Sequence, residues 1–348
     1  MRPNDILLIL EQEFKSLDHA HHTPIMLWGP PGVGKSQIVA EIANKHQVPL
    51  IDIRLSQIEP SDLRGIPFRS NDKVIWATPE ILPDSEKHGP SGILFLDEIN
   101  AAPPSTSAAA YQLILDRKIG SYHLPDGWAI FAAGNRQGDR GVTYSMPSPL
   151  ANRFSHYQLD VHLDDWVNWA YSQKLDKRII AFLRFRPELL FDFDPAENPI
   201  AFPSPRSWVF AHRALQKFED TPHLLLSGLQ ACVGEMAGLA ASAYIENYAN
   251  IPDIDAIIRG DDINVPDKID LQYAVAAALV SRAMGEKENK ESQRVFGNIL
   301  NFAQKFPQKE MGVMLVSDLQ RVIGQALFQT PEFSQWANVV ADVMFYHD

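Results

Sequence analysis

Hydrophobic positions in this chain follow two rules, and the change from one to the other divides it near residue 161. Before that point short apolar runs of strand type alternate with segments of helical spacing. Pro24 to Trp28, Val48 to Leu55, Ile93 to Leu96, Trp128 to Ala133 and His156 to Val161 read as strands. Ile38, Val39, Ile42 and Ala43 mark a helix after Ser36, and Ala108 to Ala110 with Leu113 and Ile114 mark another over Ser105 to Asp116. The run Ile93-Leu94-Phe95-Leu96 is continuous rather than alternating, as expected of a strand buried on both faces of a parallel sheet. Ile119 to Leu124, the turn Asp126-Gly127 and Trp128 to Ala133 read as a hairpin whose second arm continues into the core.

Beyond His162 only helical spacing remains. It covers Asp164 to Lys174, Lys177 to Phe191, Ser207 to Phe218, Leu224 to Tyr248, Leu271 to Met284, Ser292 to Gln304 and Met311 to Phe328. Proline-rich breaks fall at Pro195 to Pro205, and Ile251 to Pro266 is acidic and turn-rich. The pattern predicts an α/β domain over 1–161, a helical region over 162–260 and a helical C-terminal extension over 261–348. Between the second and third strands, Ser56 to Gly92 is long and polar with one hairpin strand at Val74 to Ala77. That length points to an inserted functional element.

Composition narrows the picture. A chain of 348 residues, 45% hydrophobic and 21% charged, can bury a large core, which excludes wholesale disorder. A net charge of −12 argues against broad nucleic-acid or anionic-membrane binding. No apolar run approaches membrane-spanning length, and Met1 to Phe14 lacks the signal-peptide arrangement, so a cytoplasmic protein without membrane insertion is expected. Cys232 reads as a core thiol in a packed stretch, and His19, His21 and His22, without acidic or Cys partners at ligand spacing, read as a solvated loop.

The chemistry concentrates at strand ends. Gly29-Pro30-Pro31-Gly32-Val33-Gly34-Lys35-Ser36 satisfies the phosphate-loop pattern G-x-x-x-x-G-K-[ST] between a strand and a helix. Its glycines allow close approach of the backbone to phosphate oxygens, and the following helix points N–H groups at the anion. Lys35 is expected on the β- and γ-phosphates and the Ser36 hydroxyl on Mg²⁺. Asp97 and Glu98 end the buried third strand; Asp97 is assigned to Mg²⁺ through the ion's water, and Glu98 to the attacking water. Asn135, at the tip of the next core strand, can donate to a γ-phosphate and accept from water. Arg54 ends the second strand on the same side, as a phosphate-state sensor or a salt-bridge partner. Arg153, before the fifth strand, is placed too far round the sheet for its own phosphates, and so is expected to reach a neighbour's. Arg206, at a helix start, is a second candidate for the γ-phosphate.

In the order GPPGVGKS, LFLDEIN, LPDGWAIFAAGN, SPLANRF and SPRSW, these segments resemble an AAA+ ATPase of the MoxR-like branch, over roughly residues 1 to 240. In that resemblance they are the Walker A and Walker B motifs, the hairpin before sensor 1 with sensor 1 itself, the arginine finger and sensor 2. The resemblance implies a five-stranded parallel sheet sandwiched by helices, a helical lid and a homo-oligomeric ring, commonly of six subunits, with ATP and Mg²⁺ bound between neighbours. It further implies a remodelling chaperone that acts on a client or with a von Willebrand factor A-domain partner, through ring-face loops in the Ser56 to Gly92 insertion and near Tyr122-His123. Two other readings stand beside it: an ATP-gated scaffold with incidental turnover, and a nucleic-acid motor, which the acidic balance disfavours.

Overall fold

The strands are β1 (Ile25–Trp28), β2 (Leu50–Arg54), β3 (Ile66–Ser70), β4 (Lys73–Ala77), β5 (Ser91–Asp97), β6 (Lys118–Ile119), β7 (Tyr122–His123), β8 (Gly127–Gly134) and β9 (Ser155–Gln158). In the computed structural model, which describes residues 1–19, 22–71, 73–136, 138–139, 144–197, 199–287 and 291–344, five of them make one sheet. Its order is β2-β5-β8-β1-β9, and every pairing in it is parallel. The expected five-stranded parallel sheet is therefore present. Two separate antiparallel pairs, β3 with β4 and β6 with β7, lie outside it.

Burial explains which strands are central. Ile93 to Leu96 of β5 and Trp128 to Ala133 of β8 have no exposed surface, and each large side chain so buried contributes about 1.5–3 kcal/mol. Their pairing needs a glycine: Gly92 stands opposite Trp128, and a Cβ on Gly92 would lie 2.6 Å from the indole ring. Flanking the sheet are α1 (Pro3–Lys15), α2 (Lys35–His46), α3 (Pro60–Arg64), α4 (Ser85–His88), α5 (Pro104–Asp116) and α6 (Ser148–Ala151). The expected faces are buried, with Ile38, Val39, Ile42 and Ala43 on α2 and Ala109, Ala110, Leu113 and Ile114 on α5. Glu11 of α1 pairs with Lys15 at 2.8 Å and accepts from Lys45 of α2 at 2.7 Å; those two bonds hold its carboxyl pKa at about 2.

The hairpin expected around Asp126-Gly127 is not formed there. The reversal is at Gly120, whose φ is +57°, and joins β6 to β7, while β8 pairs in parallel with β5 and β1. Gly127 starts β8 so close to β5 that a Cβ would sit 2.3 Å from the Pro90 carbonyl. Within the insertion, β4 pairs with β3, a strand that the sequence did not mark because Pro67 lies within it.

Contacts divide the chain into Met1–His162 with Asp194–Asn198, and Leu163–Phe193 with Pro199–Asp348. Among the described residues, the regular structure of the second unit is helical: α7 (Leu163–Ser172), α8 (Lys177–Phe185), α9 (Pro205–Lys217), α10 (Pro222–Val233), α11 (Glu235–Asn247), α12 (Ile254–Arg259), α13 (Ile269–Glu286), α14 (Ser292–Ala303), α15 (Lys309–Ile323) and α16 (Pro331–Met344). Arg184 of α8 bridges Asp164 of α7 and the buried Asp318 of α15. An unpaired charge at that depth would be costly, so the three helices are held together. The single helix expected over Leu224 to Tyr248 is two, because Gly234 adopts φ +87° against the Ala201 carbonyl. Its packing is also looser than a core stretch: Met236 is 77% exposed, Leu239 is exposed and Cys232 is half-buried, with burial pushing its thiol pKa up.

The histidine stretch before β1 departs from the solvated loop expected of it. His21 lies outside the described residues, but the His22 ring is buried, and its Nε2 accepts the Ile130 N–H at 3.0 Å. The β1–β8 pairing starts only at Ile25 opposite Phe131, so this N–H of β8 has no partner on β1 and takes the imidazole instead. A charged ring could not accept it. Burial and then the nearby Arg117 charge lower the His22 pKa to about 4. An unfolded histidine titrates near ~6.5, so folding favours the neutral ring. The resulting stability is fully present above about pH 6.5, is lost as pH falls through about 4, and amounts to about 3 kcal/mol at most. In urea unfolding, the stability gap between wild type and His22→Ala is expected to be widest above neutral pH and to narrow between about pH 6.5 and 4.

Candidate functional site

The loop Gly29 to Ser36 joins the end of β1 to the start of α2. Gly34 precedes the helix at φ +105°, a conformation that a side chain would strain, and no side chain caps the first turn. The N–H groups of that turn are thus left for another acceptor, as an anion site requires. Gly29 is tight rather than open: a Cβ there would lie 2.9 Å from the Leu159 carbonyl.

Predicted residues from two other strands converge on this loop. Lys35 Nζ donates to the carbonyls of Gly29 and Pro30 at 2.6 and 3.1 Å, and to Asn135 Oδ1 at 3.0 Å. Ser36 Oγ donates to Asp97 Oδ2 at 2.9 Å, while Asp97 Oδ1 accepts the Glu98 N–H at 2.8 Å. Glu98 itself has φ +56°, a left-handed conformation that costs a non-glycine residue about 1–3 kcal/mol. Its carboxylate accepts a hydrogen bond from the Ser56 hydroxyl, just after β2. Asp52, on β2, is also close: desolvation raises its pKa, and repulsion from Asp97 and then Glu98 adds to this against the opposing pull of Arg54. Arg54 stands opposite Asp97 in the ladder and is exposed.

Asn135 is held by a residue that sequence reading missed. The Asn100 side chain accepts the Asn135 N–H at 3.2 Å and donates to the Asn135 carbonyl at 2.7 Å. Asn100 is buried, and its own carbonyl accepts from the Tyr144 N–H. Gly134 makes room for it, since a Cβ there would be 2.5 Å from Asn100 Oδ1. Asn100 and Ser56 were both overlooked for the same reason: each acts on a residue distant in sequence. The available signal was the polar Asn100 close behind Asp97, where the chain leaves a fully apolar strand.

Arg153 lies elsewhere. It follows α6, is exposed, and has no hydrogen bond or ion pair from its side chain among the described residues, while the neighbouring Phe154 anchors the segment in the core. Its distance from its own phosphates is not the matter of position round the sheet that the sequence suggests. The strand it introduces, β9, is the immediate neighbour of β1, with Ser155 opposite Ile25. Arg153 is separated lengthwise instead. It precedes β9, whereas the phosphate loop follows the far end of β1, and a strand of that length spans about 13 Å. Arg206 is in the helical unit, exposed in the first turn of α9, where Ser204 and Ser207 form a capping box.

Ser36, Asp97, Glu98, Lys35 and Asn135 suit a magnesium–triphosphate: a hydroxyl and one carboxylate for a hard cation, and a cation and amide for phosphate oxygens. Mg²⁺ characteristically takes few protein ligands and completes its shell with phosphates and water. No group of three or more His, Cys, Asp or Glu side chains forms a cage among the described residues.

Residues 25–157, which span the sheet, match the family described as "ATPase family associated with various cellular activities (AAA)". It is similar to Midasin of Giardia intestinalis, 30% identical over 157 residues, which are 43% of this chain and 3% of that protein. An uncharacterized AAA domain-containing protein of Schizosaccharomyces pombe is 33% identical over 105 residues, 30% of this chain and 12% of its own length. This chain thus corresponds to a small part of either relative. Among solved structures, a variant of Thermotoga maritima RuvB is 18% identical, over 81% of this chain and 84% of its own, a loose likeness at a TM-score of 0.39.

Replacing Asn100 by Leu removes both side-chain bonds to the Asn135 main chain and leaves those groups unsatisfied, at a cost of about 1–3 kcal/mol. Urea unfolding is expected to register that loss, with nucleotide affinity falling in the same variant because Asn135 no longer faces Lys35.

Proposed function

We propose that this chain is a MoxR-type AAA+ remodelling chaperone that hydrolyses ATP in a cytoplasmic homo-oligomeric ring. The observation that carries the reading is the Lys35, Asn135, Ser36, Asp97 and Glu98 cluster around an uncapped helix N-terminus. Lys35 exchanges its loop carbonyls for β- and γ-phosphate oxygens. Ser36 and Asp97 would hold Mg²⁺, Asp97 through the ion's water, and the ion would supply charge neutralisation on the phosphates. Asn135, steadied by Asn100, orients the attacking water, and Glu98 accepts its proton once the carboxylate leaves Ser56.

The lengthwise separation of Arg153 from its own loop supports its action on a neighbour's γ-phosphate, and Arg206 supplies a further cation. A six-membered ring then follows the family's habit, and an arginine so supplied is worth about 10³ to 10⁵ in rate. Client contact is assigned to the β3–β4 hairpin, where Ile66 and Val74 are each 68% exposed and Phe68 and Trp76 are also open, with the β6–β7 turn beside it. Such an apolar surface suits a client or a von Willebrand factor A-domain partner. Among the described residues no helix is long and apolar enough to cross a membrane.

The Ser56–Glu98 bond favours a second reading, an ATP-gated scaffold whose turnover is held back. In a steady-state assay Glu98→Gln is expected to keep ATP affinity while turnover falls by at least about 10²-fold. Ser56→Ala separates the two readings: a faster rate speaks for the restrained scaffold, an unchanged one for the working chaperone.

Lys35→Ala should abolish binding of a fluorescent ATP analogue, whereas Arg153→Ala should bind it and lose turnover. Mixing those two variants is expected to restore part of the hydrolysis, and specific activity should rise with protein concentration as mass grows. Assembled mixed rings with no recovered activity would count against action in trans.

A further inference from the structure

A chain of side-chain contacts runs along the β1–β9 edge, from the phosphate loop to the segment that carries Arg153. Trp28 immediately precedes Gly29, and its indole Nε1–H donates to His156 Nδ1 at 2.9 Å. The two rings lie edge to edge, their planes 15° apart and their centroids 6.0 Å apart, as an in-plane N–H···N bond requires. The other imidazole nitrogen, Nε2, lies 2.8 Å from the carbonyl of Ala151, the last residue of α6. An indole nitrogen can only donate. Nδ1 must therefore accept, the ring proton resides on Nε2, and that N–H donates to Ala151. Both ends of the imidazole are committed, one to the residue before the loop and the other to the residue two before Arg153.

The register makes this span possible. Met26 stands opposite His156 and Trp28 opposite Gln158, so the Trp28 ring reaches back diagonally along β9. Main-chain contacts tie the same elements together, with the Leu159 N–H on the Trp28 carbonyl at 2.7 Å. Neither the phosphate-loop pattern nor the Ser148-to-Phe154 segment calls for a tryptophan or a histidine at these places. His156 is exposed and Trp28 only half-buried, so their hydrogen bond adds little to stability.

We propose that His156 is a positioning residue that couples the phosphate loop of one subunit to the arginine that the same subunit offers its neighbour. This rests on Arg153 acting in trans. A shift of the loop moves Trp28, the bonded imidazole passes the movement to Ala151, and the Arg153 segment moves with it. Adjacent ATP sites become interdependent as a result.

Three variants break the chain at different links. Trp28→Phe keeps an aromatic ring at this place and loses the donor. His156→Asn keeps an acceptor near Nδ1 and loses the reach to Ala151, and His156→Gln does the reverse. In the assembled protein each is expected to bind nucleotide within about twofold of wild type, to turn over about three- to tenfold more slowly, as the loss of one hydrogen bond implies, and to show a lower Hill coefficient for ATP. Adding Arg153→Ala to His156→Gln should slow turnover no further than Arg153→Ala alone, because the two act as one unit. Wild-type rate and Hill coefficient in Trp28→Phe and His156→Gln would overturn the coupling, as would losses confined to melting temperature, which would make His156 a strand staple. If Arg153→Ala itself turns over normally, the trans arginine falls and the coupling with it; if that variant is inactive while the three others keep the wild-type rate and Hill coefficient, the coupling alone falls.

Discussion

The register of β1 against β8 is the constraint on which the rest of this site depends. Trp28 stands opposite Gly134, so the phosphate loop and Asn135 leave the sheet side by side. Lys35, at the first turn of the helix beyond the loop, can then bond Asn135 across the two strands. A slip of one residue would turn every buried side chain of β1 to the opposite face, and the fully buried Ile25, Met26 and Leu27 prevent it. The neighbouring ladder works in the same way: Leu96 stands opposite Ala132, which carries Asp97 and Glu98 to the same end of the sheet.

Around that register the polar groups form a connected set with competing demands. Lys35 is the cation among Asn135 and two loop carbonyls, while Asp97, Glu98 and Asp52 gather negative charge a short distance away. Such a gathering is unfavourable without a cation. The same end of the sheet also holds the left-handed Glu98 and the uncapped α2. Backbone strain, crowded carboxylates and unsatisfied N–H groups coincide where phosphate and magnesium would relieve the last two.

Particular elements show how much could be read from the chain itself. The loop Gly29 to Ser36 was legible because glycine, lysine and serine at fixed spacing carry their own mechanics, and β5 because four consecutive apolar residues cannot face water on either side. The second arm of the insertion hairpin was legible, but its partner β3 was not, since Pro67 lies within it and a proline argues against a paired strand. Gly234 split a helix that apolar spacing alone made continuous. His22 was misjudged because its partner, the Ile130 N–H, is 108 residues away.

Local order thus follows from the chain: periodicity sets helix and strand, and the phosphate loop needs only a run of neighbouring residues. Anything that depends on which strand lies beside which came from the folded chain. Asn100 on Asn135, Ser56 on Glu98 and Trp28 on His156 join residues 35, 42 and 128 positions apart. The lengthwise gap between Arg153 and its own loop belongs to the same class, because it depends on β9 lying parallel to β1. Hydrogen bonds of this kind are short-ranged and directional, so no local pattern announces them until packing has set the register.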